Sequence, residues 1–369
     1  MNRKYLDLAG LTAYDAKIKG WFKSGVVDIA DEAIKILFME EPKPVVYDPY
    51  VTFTAQEDNS SIGLSRLSTN QILEYSTDNS DWNTFDTTTN ISLNNGDKVY
   101  VRGVLSADNT SSNSTQFKMR GKITASGNCN AIWNYQDLNA PLKAYCGYEM
   151  FRQCNSLTTA PELPATTLSE WCYNYMFSEC SSLTTAPELP ATMLAQGCYR
   201  NMFYGCISLT TAPELPATEL AGYCYGYMFK ACTSLITAPE LPATELADLC
   251  YYAMFDGCSS LTTAPELPAT TLAESCYASM FRECTSLITA PELTVMTLVD
   301  SCYKNMFYKC TNLNHITCLA TDISEAYCTY SWVSGVASTG IFVKHPYMTS
   351  WKTGASGIPS GWTVVDAEV

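Results

Sequence analysis

"TLSEWCYNYMFSECSSLTTAPELPAT", Thr167 to Thr192, is followed and preceded by close copies of itself, and how one copy folds decides how the chain folds. The register is set by cysteine. Cys146, Cys172, Cys198, Cys224, Cys250, Cys276, Cys302 and Cys328 each lie 26 residues after the last. Cys154, Cys180, Cys206, Cys232, Cys258, Cys284 and Cys310 repeat the same step, and only Cys129 and Cys318 stand outside the two series. Self-similarity at this period implies a solenoid, in which each unit buries its apolar side against its neighbours.

Within the copy, Thr167-Leu168-Ser169-Glu170 has the Thr-x-x-Glu form of a helix capping box. Leu168, Cys172, Tyr173, Met176, Phe177 and Cys180, placed at about 100° per residue, fall on one contiguous half of a helix. The pattern therefore predicts a helix in every repeat, its constant residues facing inward. Asn174, Tyr175, Ser178 and Glu179, which become Arg200, Asn201, Tyr204 and Gly205 in the next copy, would face water. Leu183 and Leu189 are six apart and would point to the same side of an extended segment. Pro187 lacks an N–H, so a short strand is expected over Thr184-Thr185-Ala186, followed by a polyproline-like exit.

The repeat core is thus expected at Cys172, Met176, Phe177, Cys180, Leu183 and Leu189. An odd total of seventeen cysteines, arranged as one C-x7-C pair per repeat, reads as buried reduced thiols packed as small soft hydrophobes. Ladder disulfides and metal ligation are the rival readings. Metal sites favour closely spaced pairs with a second pair or histidines, and the chain holds only His315 and His345. Stacking would also place Glu162, Glu188, Glu214, Glu240, Glu266 and Glu292 in one column. That column is either a cation- or ligand-binding stripe, or a solvated row or glutamates bonding backbone N–H groups at the turn, with no matching basic column to favour the stripe.

Outside the array the chain reads differently. Leu8, Leu11, Tyr14, Ile18, Trp21 and Phe22 recur at helical steps, and a second such face runs from Val26 to Phe38. Residues 1–41 are expected to be helical and to need a partner, with Leu11, Ile18, Trp21 and Phe22 as attachment residues. Residues 45–135 alternate apolar and polar side chains in short runs separated by Asn-, Asp- and Gly-rich turns, the pattern of a small β-sandwich. Residues 142–334 form the array, and 335–369, with Trp351 and Trp362, would cap its last apolar layer. The fold class expected is therefore N-terminal helices, an all-β sandwich and an α/β leucine-rich-repeat solenoid.

Hydrophobic content of 47% argues against disorder, and the net charge of -15 argues against a nucleic-acid partner. No stretch is long and apolar enough for a membrane span, and the N-terminus lacks the continuous apolar run of an export signal. Neither a nucleophile with its base, nor a phosphate loop, nor an open metal position is recognisable, so no enzyme activity and no cofactor are expected.

The unit "MFxxCxSLTTAPELP" resembles the BspA-type leucine-rich repeats, which also carry a Phe-x-x-Cys-x-Ser-Leu core. Members of that family are mostly surface and adhesion proteins, and similar repeats occur in fibre proteins of phages of gut bacteria. The opening "YLDLAGLTAYDAKIKGWF" resembles the helical start of phage virion proteins. The resemblance implies a non-enzymatic head- or tail-fibre subunit assembled in the host cytoplasm, docked to capsid or tail proteins through its N-terminus. It would be homo-oligomeric, plausibly a trimer, and would contact a host polysaccharide or surface protein. The alternative is a bacterial cell-surface adhesin. Contact residues would lie at variable outward positions and in the tail: Tyr175, Tyr204, Tyr227, Tyr252, Arg282, Tyr308, Trp351 and Trp362.

Overall fold

The computed structural model describes residues 48–349 and 351–368, which belong to one compact unit, Asp48–Val369. The helices expected over residues 1–41, with Leu11, Ile18, Trp21 and Phe22, lie outside the described residues.

The first part of the unit is built from β1 (Val51–Ala55), β2 (Ser60–Arg66), β3 (Gln71–Ser76), β4 (Asn83–Thr84), β5 (Asn90–Leu93), β6 (Lys98–Leu105), β7 (Gln116–Arg120) and β8 (Ile123–Ser126). Alternation drives these strands: in β6, Val99, Val101 and Leu105 are buried while Lys98, Tyr100 and Arg102 face outward. One sheet runs β4-β3-β6-β1-β8 and the other β5-β2-β7. Their facing sides meet at Phe53, Phe85 and Phe117, with ring centroids 5.4 Å (Phe53–Phe117) and 6.1 Å (Phe85–Phe117) apart.

The larger sheet does not stop at β8. β9 (Leu157–Thr159), in the first repeat, pairs with it in parallel. The Phe117 ring also stacks on Phe151 of that repeat at 5.1 Å. A short helix, α1 (Ala131–Asn134), sets Trp133 against Tyr173 of the second repeat. The sheets therefore cover the first apolar layer of the array and share its core.

The helix predicted for every repeat is absent, and α1 is the only α-helix among the described residues. From the first cysteine to the second, each repeat is instead a run of consecutive turns. In Tyr223 to Cys232 the even-numbered N–H groups close local turns: Gly226 bonds Tyr223 O (3.1 Å), Met228 bonds Tyr225 O (3.1 Å) and Lys230 bonds Tyr227 O (3.1 Å). The odd-numbered ones bond the next repeat: Tyr225 to Cys250 O (2.9 Å), Tyr227 to Tyr252 O (2.7 Å) and Phe229 to Met254 O (2.9 Å). The supposed capping box has the same fate, because Leu168 N–H bonds Met193 O (3.0 Å) and Trp171 N–H bonds Gln196 O (2.9 Å). The physical reason is that two residues in and two out gives a period of four, close enough to 3.6 to imitate a helix.

The turns need left-handed backbone. The residue before the first cysteine has positive φ in all eight rungs, from Tyr145 (57°) to Tyr327 (52°). A second such column holds Gln153, Glu179, Gly205, Ala231, Gly257, Glu283, Lys309 and Gly335. The extended segment is shorter than expected. Through most of the array it contributes single parallel bridges, such as Thr211 to Thr237 to Thr263, because the prolines that follow cannot donate to a ladder.

Inside, the constant side chains form columns. Phe151, Phe177, Phe203, Phe229, Phe255, Phe281 and Phe307 stack at 5.5 to 5.8 Å. The column from Tyr173 to Tyr303 runs beside them, with Met176 and its equivalents fully buried. Trp332 ends both columns, lying 6.3 Å from Tyr303 and 6.2 Å from Phe307. Beyond it, β10 (His315–Cys318), β11 (Ile341–Lys344) and β12 (Thr363–Asp366) form a parallel sheet that closes the unit.

Turn and helix make opposite predictions in the left-handed column. A methyl at Gly257 would meet Ala231 Cα at an ordinary 3.7 Å, so only backbone strain opposes it. Gly257→Ala should cost about 1 kcal/mol in urea unfolding, where an exposed helical site would gain about that much. Ala231→Gly, at φ 60°, should be neutral to stabilising.

Candidate functional site: a cation–aromatic face

The cysteines are the first candidates for chemistry. All seventeen are free and buried. The thiol of the second series donates to the carbonyl of the preceding rung's phenylalanine: Cys180 to Phe151 O (3.0 Å), Cys206 to Phe177 O (3.1 Å), Cys232 to Phe203 O (3.0 Å) and Cys310 to Phe281 O (2.9 Å). Burial pushes Cys154, Cys206 and Cys310 from an ordinary value near 9.0 up to about 12. Cys129, outside both series, is raised well above it by burial and then by Glu162. A neutral, buried thiol is a poor nucleophile and a poor metal ligand. Among the described residues no group of three or more His, Cys, Asp or Glu side chains could hold a metal ion.

The glutamate column is exposed from Glu162 to Glu292, and none of its six carboxylates makes a hydrogen bond or an ion pair. Between Pro239–Pro242 and Pro265–Pro268 the chain leaves a groove of about 400 Å³, into which Glu240 and Glu266 contribute. The column is a solvated row.

The turn strip is different. Every Lys and Arg between residues 144 and 334 lies on it: Arg152, Arg200, Lys230, Arg282, Lys304 and Lys309. Most are paired. Arg152 bridges to Glu149 (2.6 Å) and Glu179 (3.7 Å), Lys230 to Asp256 (2.9 Å), and Arg282 to Glu283 (3.0 Å) and Asp256 (3.4 Å). Lys309 reaches Glu283 at 3.4 Å. Each also lies near a tyrosine ring, as Arg152 lies 5.5 Å from Tyr175 and Arg282 5.6 Å from Tyr308.

Of the residues picked out from sequence, Tyr175, Tyr204, Tyr227, Tyr252, Arg282 and Tyr308 are all half-buried on this strip. Tyr227 and Tyr252 pack edge to face at 5.0 Å, and burial, then Tyr252, pushes the Tyr227 hydroxyl up to about 12. The variable positions do not simply face water, since Asn174, Ser178 and Asn201 are buried. Trp351 and Trp362 are not surface contacts: Trp351 stacks on Trp332 at 5.6 Å, and Trp362 is buried with its Nε1–H on Ala337 O (2.7 Å). A cap needs these rings inside to cover the last layer.

Sequence reasoning passed over Tyr145, Tyr148, Trp171, Tyr223 and Arg200. Trp171 stacks near Tyr145 (6.1 Å) and reaches Tyr223 (6.4 Å), two rungs away. It can do so because the intervening residue is Gly197, where a Cβ would meet the Trp171 ring at 2.2 Å. The signal was present: Tyr145, Trp171 and Tyr223 share the column just before the first cysteine, and Tyr148 and Arg200 share the column two residues after it, which a helical projection treats as ordinary outward positions.

A family profile described as BspA type leucine rich repeat region, in six copies, matches residues 128–236 and 224–331. No curated protein and no solved structure matches the chain.

The buried thiols also set a pH dependence. The folded state keeps their protons up to about pH 12, whereas the unfolded chain releases them from about pH 9. The native state thus binds more protons in that window, and stability must fall as pH rises through it. The urea midpoint under reducing conditions should be unaffected by these thiols below pH 9 and drop between pH 9 and 12.

Proposed function

Because the chain belongs to the BspA-type leucine-rich repeat family, whose repeats mark surface and adhesion-type proteins, we propose that it is a non-enzymatic display protein. Its array holds a cation–aromatic strip on a rigid backbone raster for contact with a host surface or its glycans. The observation that carries this reading is that the strip's varied side chains sit on columns whose backbone hydrogen bonds run from rung to rung. The cysteines suit no reaction, since they are inert fillers.

Within that reading we place the protein in a phage particle, as a head- or tail-fibre subunit attached to capsid or tail proteins through residues 1–41 and assembled as a homo-oligomer. Two features support this. Seventeen reduced, buried thiols suit folding in a reducing cytoplasm, where virions assemble. The opening residues also resemble virion proteins. The second reading, a bacterial cell-surface adhesin, draws on the family match itself.

Immunogold microscopy separates the two. Antibody to the full chain should decorate appendages of purified particles and leave the uninfected bacterial envelope unlabelled. Labelled envelopes with unlabelled particles would replace the phage reading with the adhesin.

A further inference from the structure

We propose that the part of the strip centred on Arg200 is a binding site for carboxylate-bearing saccharides, an inference that rests on the surface-contact reading and gives it a place. Arg200 is the one arginine of the array with no carboxylate partner: Arg152 and Arg282 are each held by two acids, whereas Arg200 makes no ion pair. It is half-buried, and its Nε–H is enclosed without an acceptor. Its guanidinium lies 5.4 Å from the ring of Tyr223 and 5.5 Å from that of Tyr227, both of the next rung. In a chain of net charge -15, a half-buried cation without an anion is an open valence.

Its neighbours are prepared in the same way. In the rung before, the residue in the same column is Asn174, 2% exposed, whose Oδ1 has no donor. In the rung after, it is Gly226, which sets no side chain, and so no carboxylate, beside Arg200, although a Cβ there would find room at 3.4 Å from Leu249 O and Tyr223 O and 3.8 Å from Arg200 Cγ. The next residue, Asn201, is 4% exposed and its Nδ2 has no acceptor. Around these lie Trp171, folded over Gly197, and Tyr175.

The class of ligand follows from what is missing. A planar carboxylate matches the guanidinium fork. An orphan acceptor on Asn174 and an orphan donor on Asn201 match hydroxyl groups, which donate and accept at once. Half-buried tyrosine and tryptophan rings offer apolar area with polar tips, suited to the mixed face of a sugar. An inorganic anion would leave Asn174 Oδ1 unpaired and the rings unused. An acidic peptide would bind through anchors inserted into pockets, and rings lying half-buried along a column supply neither.

The test titrates the full-length protein with oligogalacturonate and with sialyllactose, against their uncharged counterparts, a poly-glutamate peptide and inorganic phosphate. At least one acidic sugar should bind, more weakly as salt is raised, and the uncharged counterpart should bind at least about tenfold less well. Arg200→Gln should weaken that binding by about tenfold or more, and Asn201→Gly by a smaller factor. Glycine is chosen because Asn201 has φ 56°, which alanine would resist. Lys98→Gln, at the start of β6 and away from the strip, should change nothing. If Arg200→Gln lowers the urea midpoint, Arg200→Lys decides, since it keeps the charge and loses the fork. Binding unchanged in the Arg200 variants, equal binding of the uncharged sugars, or preference for poly-glutamate or phosphate would each overturn the site. Protein that labels host cells yet binds neither acidic sugar removes this site and leaves the surface-contact reading standing. Protein that binds neither cells nor sugars removes both.

Discussion

The structure depends on hydrogen bonds that no repeat can make alone. In the turn strip every second backbone N–H finds its acceptor on another rung, as Tyr225, Tyr227, Phe229 and Ala231 do on Cys250, Tyr252, Met254 and Asp256. An α-helix of the same length would satisfy its interior by itself. Here an isolated repeat would leave half those groups unpaired, and an unpaired buried N–H costs about 1–3 kcal/mol. Stacking is therefore a condition of the local conformation. This is why both ends are covered by something else: the β-sheets with Phe117 and Trp133 at one end, Trp332 and the last parallel sheet at the other.

The same dependence explains the monotony of the core. With rungs fixed by main-chain bonds, equivalent side chains meet their own copies, so each column must be filled by a residue that stacks on itself. Phenylalanine does so at 5.5 to 5.8 Å, and cysteine fills the narrow corners while its thiol satisfies a phenylalanine carbonyl. The tyrosine column is less comfortable. The hydroxyls of Tyr173, Tyr225 and Tyr251 are buried without a partner, and burial raises their pKa well above 10.0. Replacing these tyrosines by phenylalanine would relieve that cost, so the hydroxyls are tolerated by the stack rather than required by it.

Much of this was legible in the sequence and one element was not. The period, the division into constant and varied positions, and the strands β1, β3, β6, β7 and β8 can all be read from spacing and alternation. The helix could not be dismissed, because Leu168, Cys172, Tyr173, Met176, Phe177 and Cys180 satisfy a helical projection as well as they satisfy paired turns. What separates the two is the backbone sign at positions such as Tyr223 and Ala231, and side chains that tolerate positive φ only under constraint give no local warning. Glycine at Gly205, Gly257 and Gly335 was the available hint, since three glycines in one column mark a conformation that glycine prefers. The face was half legible for the same reason. Tyr175 and Tyr227 stood out as varied and aromatic, but Trp171 and Arg200 matter through neighbours one or two rungs away, which a single repeat does not display.

A ladder of this kind separates two requirements that most binding surfaces combine. Backbone geometry is fixed by rung-to-rung bonds, and the core columns are fixed by self-stacking, so neither can change without loss of the fold. The varied columns of the strip carry Asn174, Arg200, Gly226, Tyr252, Ala278 and Lys304 at one position, a range from no side chain to a full charge. Side chains there can change without moving the raster beneath them, at intervals of roughly 5 Å. Yet the strip is no free surface, because a cation on one rung must be reconciled with its neighbours: Lys230 and Arg282 share Asp256, and Lys309 and Arg282 share Glu283. Pairing across rungs quenches most of the charge the strip could offer. Arg200 escapes because its column neighbours are an asparagine and a glycine, so its charge, alone among the arginines of the array, is left without an anion.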